Sequence, residues 1–163
     1  MTPVAPRHSA AAAHATQVLI SFLTSLNSTA EITPERVGKQ FGGTLIPDDD
    51  SLAYRSPDLG NGWIYGVKVI PPKKAFKPGF GFWFYNPDRS ADPSTVCSLT
   101  MAALRQDLVA HGFVEKSSPS EIGGIDWVNF VRNDVWLTVT RRDVVQGPGE
   151  SLCVMSLQTD DSL

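Results

Sequence analysis

The chain has few of the residue types that most often carry catalysis or bind metals. It contains three histidines and two cysteines among 163 residues. No His-Glu-x-x-His, Gly-x-Ser-x-Gly, phosphate-binding loop or dinucleotide-binding glycine pattern occurs. Asp48, Asp49 and Asp50 are consecutive, but the spacing of a calcium-binding loop is absent. The sequence therefore predicts no catalytic residue, no metal site and no cofactor, and it favours a protein that is not an enzyme.

The chain also lacks a surplus of positive charge and a long apolar run. Its 14 Lys and Arg are outnumbered by 17 Asp and Glu, which gives a net charge of −3 and a pI near 5.5. Binding to nucleic acid depends mainly on a basic surface that displaces counterions from phosphates, so we expect no nucleic-acid partner. No apolar run is long enough for a membrane span, so we expect none.

What is present is typical of a folded domain. Hydrophobic residues make up 42% of the chain and charged residues 19%, which is close to ordinary globular composition. A chain of this length can bury a core of its own without a metal. We therefore expect a flexible N-terminal segment over residues 1–9 and a single α+β domain over residues 10–163.

Two helices are predicted in the first third of the chain. The first spans about residues 10–26, because its large apolar residues recur on one helical face; these are Val18, Leu19, Phe22, Leu23 and Leu26. The second begins at Thr33-Pro34, where threonine caps and proline suits the first helical position. It ends at Gly42.

A third and longer helix is predicted from Pro93 to His111, with Asp92 as its cap. Its buried stripe has helical spacing and consists of Cys97, Met101, Leu104 and Leu108. Gly112 follows as a stop, and Phe113 is placed to fold back on Leu108.

The rest of the chain has the alternation and turn signals of strands joined by short connections. The predicted strands cover residues 44–46, 52–55, 63–70, 80–85, 125–132, 135–140 and 151–158. Short connections favour antiparallel pairing, so we expect one antiparallel sheet of five to seven strands with helices on one face. Residues 33–87 and 92–158 have a similar order, which fits either tandem αβββ units or two unrelated stretches.

The two cysteines bear on location. Cys97 lies on the predicted helical stripe, and Cys153 alternates with Met155 and Leu157, so both thiols should enter the helix–sheet interface within about 7 Å at their Cα atoms. A disulfide there would contribute on the order of 4 kcal/mol and would imply an oxidising compartment. The alternative is two buried, reduced cysteines. We expect a periplasmic or secreted protein whose signal peptide has been removed, with a cytoplasmic protein as the alternative.

Aromatic residues occur on both faces of the predicted sheet. Trp83, Tyr85 and Trp136 alternate with apolar residues that suit the core, such as Phe82 and Leu137. Exposed Trp and Tyr on a sheet mark an interaction surface, so these three are the candidate partner-binding residues. The alternative is that the N-terminal helix packs over this second face and buries them.

The order of elements from about Thr33 to Gln158 resembles secreted inhibitors built from tandem helix-plus-sheet repeats, such as the β-lactamase inhibitory proteins. It is also similar to the small periplasmic immunity proteins that bacteria make beside secreted toxins. The resemblance includes no specific motif, so it assigns no functional residue. It implies an inhibitor or immunity protein that acts by stoichiometric binding to an enzyme or toxin. The chain also resembles acidic type III secretion chaperones, which are cytoplasmic dimers; this is the alternative. The oligomeric state is not predicted.

Overall fold

The computed structural model describes residues 8–118, 127–142 and 153–159. The helices are α1 (Ala10–Ser25), α2 (Pro34–Phe41) and α3 (Met101–Ala110), with short 3-10 helices at Thr29–Glu31 and Pro93–Val96. The strands are β1 (Ile46–Asp48), β2 (Ser51–Arg55), β3 (Ile64–Ile70), β4 (Gly79–Tyr85), β5 (Val114–Ser118), β6 (Trp127–Arg132), β7 (Val135–Arg142) and β8 (Cys153–Thr159). Residues 1–7 of the predicted flexible segment 1–9 and the predicted strand starts at 125–126 and 151–152 lie outside the described residues. Ser9, within the predicted segment, caps α1 and accepts a hydrogen bond from the amide of Ala12.

The strands form one antiparallel sheet in the order β1-β2-β3-β4-β8-β7-β6-β5. Each half of the chain supplies a four-strand meander, and the last strands of the two meanders, β4 and β8, pair in the middle. The α+β class and the antiparallel sheet are thus as predicted, with eight strands where five to seven were expected. The additional strand is β5, whose sequence Val-Glu-Lys-Ser-Ser has little apolar alternation to reveal it.

The three α-helices lie on one face of the sheet, which we call the inner face. It carries Phe80, Phe82 and Phe84 of β4, and all three are buried. The ring of Phe22 in α1 lies 4.7 Å from that of Phe80, and the ring of Phe41 in α2 lies 6.0 Å from that of Tyr65. The alternative in which α1 covers the opposite face is therefore wrong: its apolar side joins the inner core.

The predicted helix from Pro93 to His111 is divided in the structure. A 3-10 helix ends at Val96, and α3 begins only at Met101, with the side chain of Thr100 accepting a hydrogen bond from the backbone of Ala103. Between them, the carbonyl of Leu99 accepts a hydrogen bond from the amide of Val154 at 2.8 Å. This bond to a distant strand draws the chain out of helical geometry, which periodicity along the sequence could not reveal.

The predicted stripe is accordingly correct for three of its four members. Met101, Leu104 and Leu108 are fully buried, whereas Cys97 precedes α3 and is only half-buried. The predicted stop is confirmed: the amide of Phe113 donates to the carbonyl of Leu108 at 3.0 Å, and Gly112 has a φ of 91°. This is the Schellman arrangement that glycine favours after a helix.

Arg132, at the end of β6, joins the ends of two helices to the sheet. Its guanidinium donates to the carbonyl of His111 after α3 and to the carbonyls of Thr24 and Leu26 at the end of α1. It also stacks over the ring of Phe113 at 4.6 Å. A cation is favourable where carbonyls at a helix C-terminus have no helical partner. The inner layer is thus fastened by a charged group as well as by apolar packing.

Candidate functional site

The face opposite the helices, which we call the outer face, is covered by none of the described helices. A row of register partners crosses it from one edge of the sheet to the other: Ile46, Ala53, Lys68, Gly81, Gln158, Thr138, Asn129 and Lys116. We call this the central row. Its middle is polar and small, whereas the inner face at the same strands is apolar. The outer face also carries the candidate aromatic residues Trp83, Tyr85 and Trp136.

Trp83 does not project freely from the outer face. Its register partner on β3 is Gly66, and the indole ring lies so close over this glycine that any Cβ at residue 66 would collide with it. Trp83 is consequently half-buried. An aromatic ring that covers a strand glycine replaces the packing which the missing side chain cannot provide. This residue supports the sheet as well as contributing surface.

Tyr85, two residues further along β4, is the most exposed of the three candidates. It is 52% exposed and is the last residue of its strand, opposite Ile64 of β3. Beside it lies a shallow cleft of about 320 Å³, lined also by Asn86 and Arg89. Tyr85 therefore offers an accessible ring and hydroxyl at one end of the outer face.

Trp136 lies at the other end of the outer face, near the start of β7. It is half-buried, and the ammonium group of Lys116 sits 5.3 Å from the centre of its ring, within the range of a cation–π contact. Two strand spacings and four residues separate it from Trp83 in the register. Standard sheet spacing places their Cα atoms roughly 16 Å apart. The structure thus brings Trp83 and Tyr85 together and leaves Trp136 apart from them.

The charges of the outer face are of one sign over most of its width. Among the outer-face positions of β3 to β8 whose side chains the structure describes, which excludes Thr140 to Arg142, the charged residues are Lys68 and Lys116, and none is acidic. The stem of Lys68 lies over Gly81. Gly66, Lys68 and Lys116 were not among the predicted site residues. For Gly66 and Lys68 the alternation of β3 could have predicted the position, because it places both on the face opposite Val67.

The predicted proximity of the two cysteines is confirmed, but Cys97 lies before α3 and not on the helix as expected. Cys97 and Cys153 lie at disulfide distance, with Cα atoms 5.3 Å apart. They meet because the segment before α3 runs beside the start of β8, where Thr100 forms a bridge with Cys153. A register shift opposite Thr140 also interrupts the expected alternation in β8, so Val154 is buried together with Cys153 and Met155.

Three titratable residues have structural partners. Burial opposes ionisation of Asp134, but hydrogen bonds from the hydroxyl and amide of Thr29 outweigh it and lower the pKa of its carboxyl. Burial raises the pKa of Tyr65 to about 12, so this phenol stays neutral. His111 contacts the carbonyl of Asp107 at 2.8 Å through Nδ1.

Groups suited to bind a metal ion and helices suited to span a membrane are both missing from the described residues. Within residues 8–118, 127–142 and 153–159, no three His, Cys, Asp or Glu side chains are grouped so that they could hold a metal ion. None of the helices described above is both long and apolar enough to cross a membrane. Comparison with protein-family models, with curated proteins and with solved structures finds no match.

Proposed function

We propose that this protein is a non-enzymatic inhibitor or immunity protein that acts by stoichiometric binding, with its outer sheet face against a partner enzyme or toxin. The observation that carries the proposal is the asymmetry of the sheet: the three α-helices all pack on the inner face, while Tyr85 and Trp136 remain accessible on the other. Accessible aromatic residues on a rigid sheet are well suited to act as interface anchors. Because the sheet is already ordered, binding would cost little conformational entropy.

The three candidate residues have different parts in this proposal. Tyr85 and Trp136 are the anchors, at opposite ends of the face, and the ammonium group of Lys116 lies over the Trp136 ring. Trp83 supports the surface from over Gly66. The polar central row lies between the two anchors and offers hydrogen-bonding groups such as Gln158 and Thr138 to the same partner surface.

We further propose a periplasmic or secreted location. The Cys97–Cys153 pair at disulfide distance supports it, because such bonds persist mainly in oxidising compartments. The secretion-chaperone alternative requires the reducing cytoplasm, so the same pair counts against it.

The experiment identifies the partner through the proposed face and then measures it. A photoreactive benzoylphenylalanine is placed at Tyr85, or at Val109 of α3 as a control that is 51% exposed on the helical side. A protein cross-linked through position 85 alone is purified and titrated with wild-type, Trp136→Ala and Val109→Ala proteins. We expect Trp136→Ala to weaken binding at least about tenfold with little change in unfolding midpoint, and Val109→Ala to bind as wild type.

Stoichiometry completes the test. The activity of the purified partner should fall in proportion to added protein and vanish near one equivalent. Equal binding by all variants would contradict the proposal, and so would cross-linking through position 109 alone. Unfolding caused by Trp136→Ala would make this residue part of the core, and the assignment of the outer face as the interface would then be wrong.

A further inference from the structure

Residues 71–78, which connect β3 to β4, form an exposed loop that contains none of the anchors proposed above. Its residues 72–76 are all exposed, and Phe76 is 50% exposed. Three of the eight residues are lysines and none is acidic, so the loop is locally cationic on a chain of net charge −3. Phe76 and the three lysines therefore give this one loop both an exposed apolar ring and a local positive charge.

The loop is held in one shape despite its exposure. The amide of Lys73 donates to the carbonyl of Phe76 at 3.2 Å, and the amide of Phe76 donates back to the carbonyl of Lys73 at 3.0 Å, which closes a tight turn over Lys74 and Ala75. Pro71, Pro72 and Pro78 restrict the backbone at both ends of the loop. A preformed turn loses little entropy when it binds, which is the property expected of an insertion loop.

Two contacts fix the loop against its neighbours. The ammonium group of Lys77 donates to the carbonyl of Asp134 in the β6–β7 turn at 2.9 Å. That of Lys73 lies 3.4 Å from the carboxylate of Asp50 in the β1–β2 turn, an exposed pair of small energetic value. Lys74 at the tip has no ion pair among the described residues.

The loop lies at the same end of the sheet as Trp136. Strand direction places the β1–β2 turn, the β3–β4 loop and the β6–β7 turn together, because each follows a strand that runs toward this end. Trp136 lies two residues after Asp134, whose backbone carbonyl accepts the hydrogen bond from the ammonium group of Lys77. The loop therefore extends the outer face at its Trp136 end.

We propose that residues 73–76 form an insertion loop that enters a carboxylate-lined cleft of the partner protein, with Phe76 as the apolar anchor and Lys74 as the group that pairs with acid. This inference rests on the proposed function and names the chemistry of the partner. A narrow turn carrying one ring and cationic side chains fits a cleft better than a flat surface. The cationic side chains require the walls of that cleft to be acidic.

An anionic membrane would offer the same attraction to lysine and phenylalanine, but the surroundings of the loop disfavour it. A broad anionic surface would also meet the exposed Asp49 and Asp50 in the adjoining turn, which it would repel. A cleft contacts only the tip of the loop. The protein partner is therefore the favoured occupant, and the membrane becomes an outcome of the test.

The test titrates the purified partner, identified by cross-linking through position 85, with Lys74→Glu and Phe76→Ala proteins. The matched controls are Lys39→Glu, an exposed lysine on α2, and Val109→Ala, an exposed apolar residue on α3. We expect Phe76→Ala to weaken binding about tenfold or more, and Lys74→Glu to slow association most at low salt. The controls should bind as wild type, and all variants should retain the wild-type unfolding midpoint. A partner variant with one cleft carboxylate changed to lysine should recover binding of Lys74→Glu.

The other outcomes are also decisive. If Trp136→Ala loses binding while both loop variants bind as wild type, the proposed function stands and the insertion loop is wrong. If every variant binds as wild type, or if nothing is cross-linked through position 85, both proposals are wrong. If wild-type protein sediments with vesicles of equal parts phosphatidylcholine and phosphatidylserine and Lys74→Glu does not, the loop docks on membranes and the inference is overturned.

Discussion

The inner and outer faces of the sheet are made by alternate residues of the same strands, yet only the inner face has to pack against helices. In β4, the inner-facing Phe80 and Phe82 contact rings of the helices and Phe84 packs beside Phe82, whereas Gly81, Trp83 and Tyr85 lie on the face that no described helix covers. The inner face consists almost wholly of large apolar groups. The outer face combines glycines, rings and lysines. Interior packing is sensitive to every methylene, whereas an exposed surface is free to serve a partner.

The largest effect should come from the link between the helical layer and the middle of the sheet. Cys97 and Cys153 are separated by 56 residues in sequence, and a disulfide closing such a loop stabilises by about 4 kcal/mol in the chain-entropy model. Replacing both by serine should therefore lower the urea midpoint strongly. Reduction of wild-type protein should have a similar effect and should not affect the double variant. Equal midpoints for oxidised and reduced wild type would show that the pair is not bridged in solution.

A cavity under α3 should have the next largest effect. Leu104 is fully buried on the inner side, so Leu104→Ala should cost roughly 3 kcal/mol in unfolding free energy. Val109→Ala on the exposed side of the same helix provides the matched control and should change stability little. Equilibrium denaturation of both variants measures the difference. A Leu104→Ala protein as stable as the control would mean that α3 does not pack as described.

The outer face should respond to an added methyl group at one glycine and tolerate it at another. At Gly66 a new Cβ would collide with the Trp83 ring, so Gly66→Ala should destabilise by roughly 1–3 kcal/mol and shift tryptophan fluorescence. At Gly81, on the same face, the nearest atoms belong to the flexible Lys68 side chain, which can move aside. Gly81→Ala should therefore cost less. In a Trp83→Ala background the Gly66→Ala penalty should largely disappear.

The smallest effect should come from the carboxylate that holds the 3-10 helix at Thr29 to the β6–β7 turn. Because the pKa of Asp134 is lowered in the folded state, its contribution to stability is present above its unfolded pKa, which is about 3.9, and is lost as pH falls through the folded value. Asp134→Asn should therefore lower the thermal midpoint slightly at neutral pH and not at strongly acid pH. Asp49→Asn, in an exposed turn, is the control. A difference that persists unchanged in strong acid would contradict this role for the carboxylate.

The sequence predicted those parts of the fold whose signals are local. The alternation of Phe80 to Tyr85 and of Val135 to Val139 correctly separated the buried large apolar residues from Trp83, Tyr85 and Trp136. Gly112 with Phe113 correctly marked the end of α3. The prediction from local patterns was wrong where a contact with a residue far away in the sequence changed the structure. The hydrogen bond from the amide of Val154 to the carbonyl of Leu99 interrupts the predicted helix. β5 is a strand because it pairs with β6, which its own sequence does not reveal.

The candidate site was predicted in part for the same reason. Alternation identified Trp83, Tyr85 and Trp136 as residues of one face, because the side chains of a strand point to opposite sides in turn. It could not reveal that Trp83 lies over Gly66, since that contact depends on which residue of β3 stands opposite in the register. Nor could it reveal that Lys116 lies beside Trp136, because this contact crosses from β5 to β7.

The sequence by itself determined where most of the helices and strands lie and which side of each is apolar, but not β5 or the interruption before α3. These follow from the periods of the helix and the strand, which extend over a few residues. Only the tertiary structure decided that β4 pairs with β8, that α1 joins the inner face, and that the outer aromatic residues divide between two ends. Such choices depend on the free energy of contacts between residues far apart in the chain, and no local pattern encodes which distant contacts are most favourable.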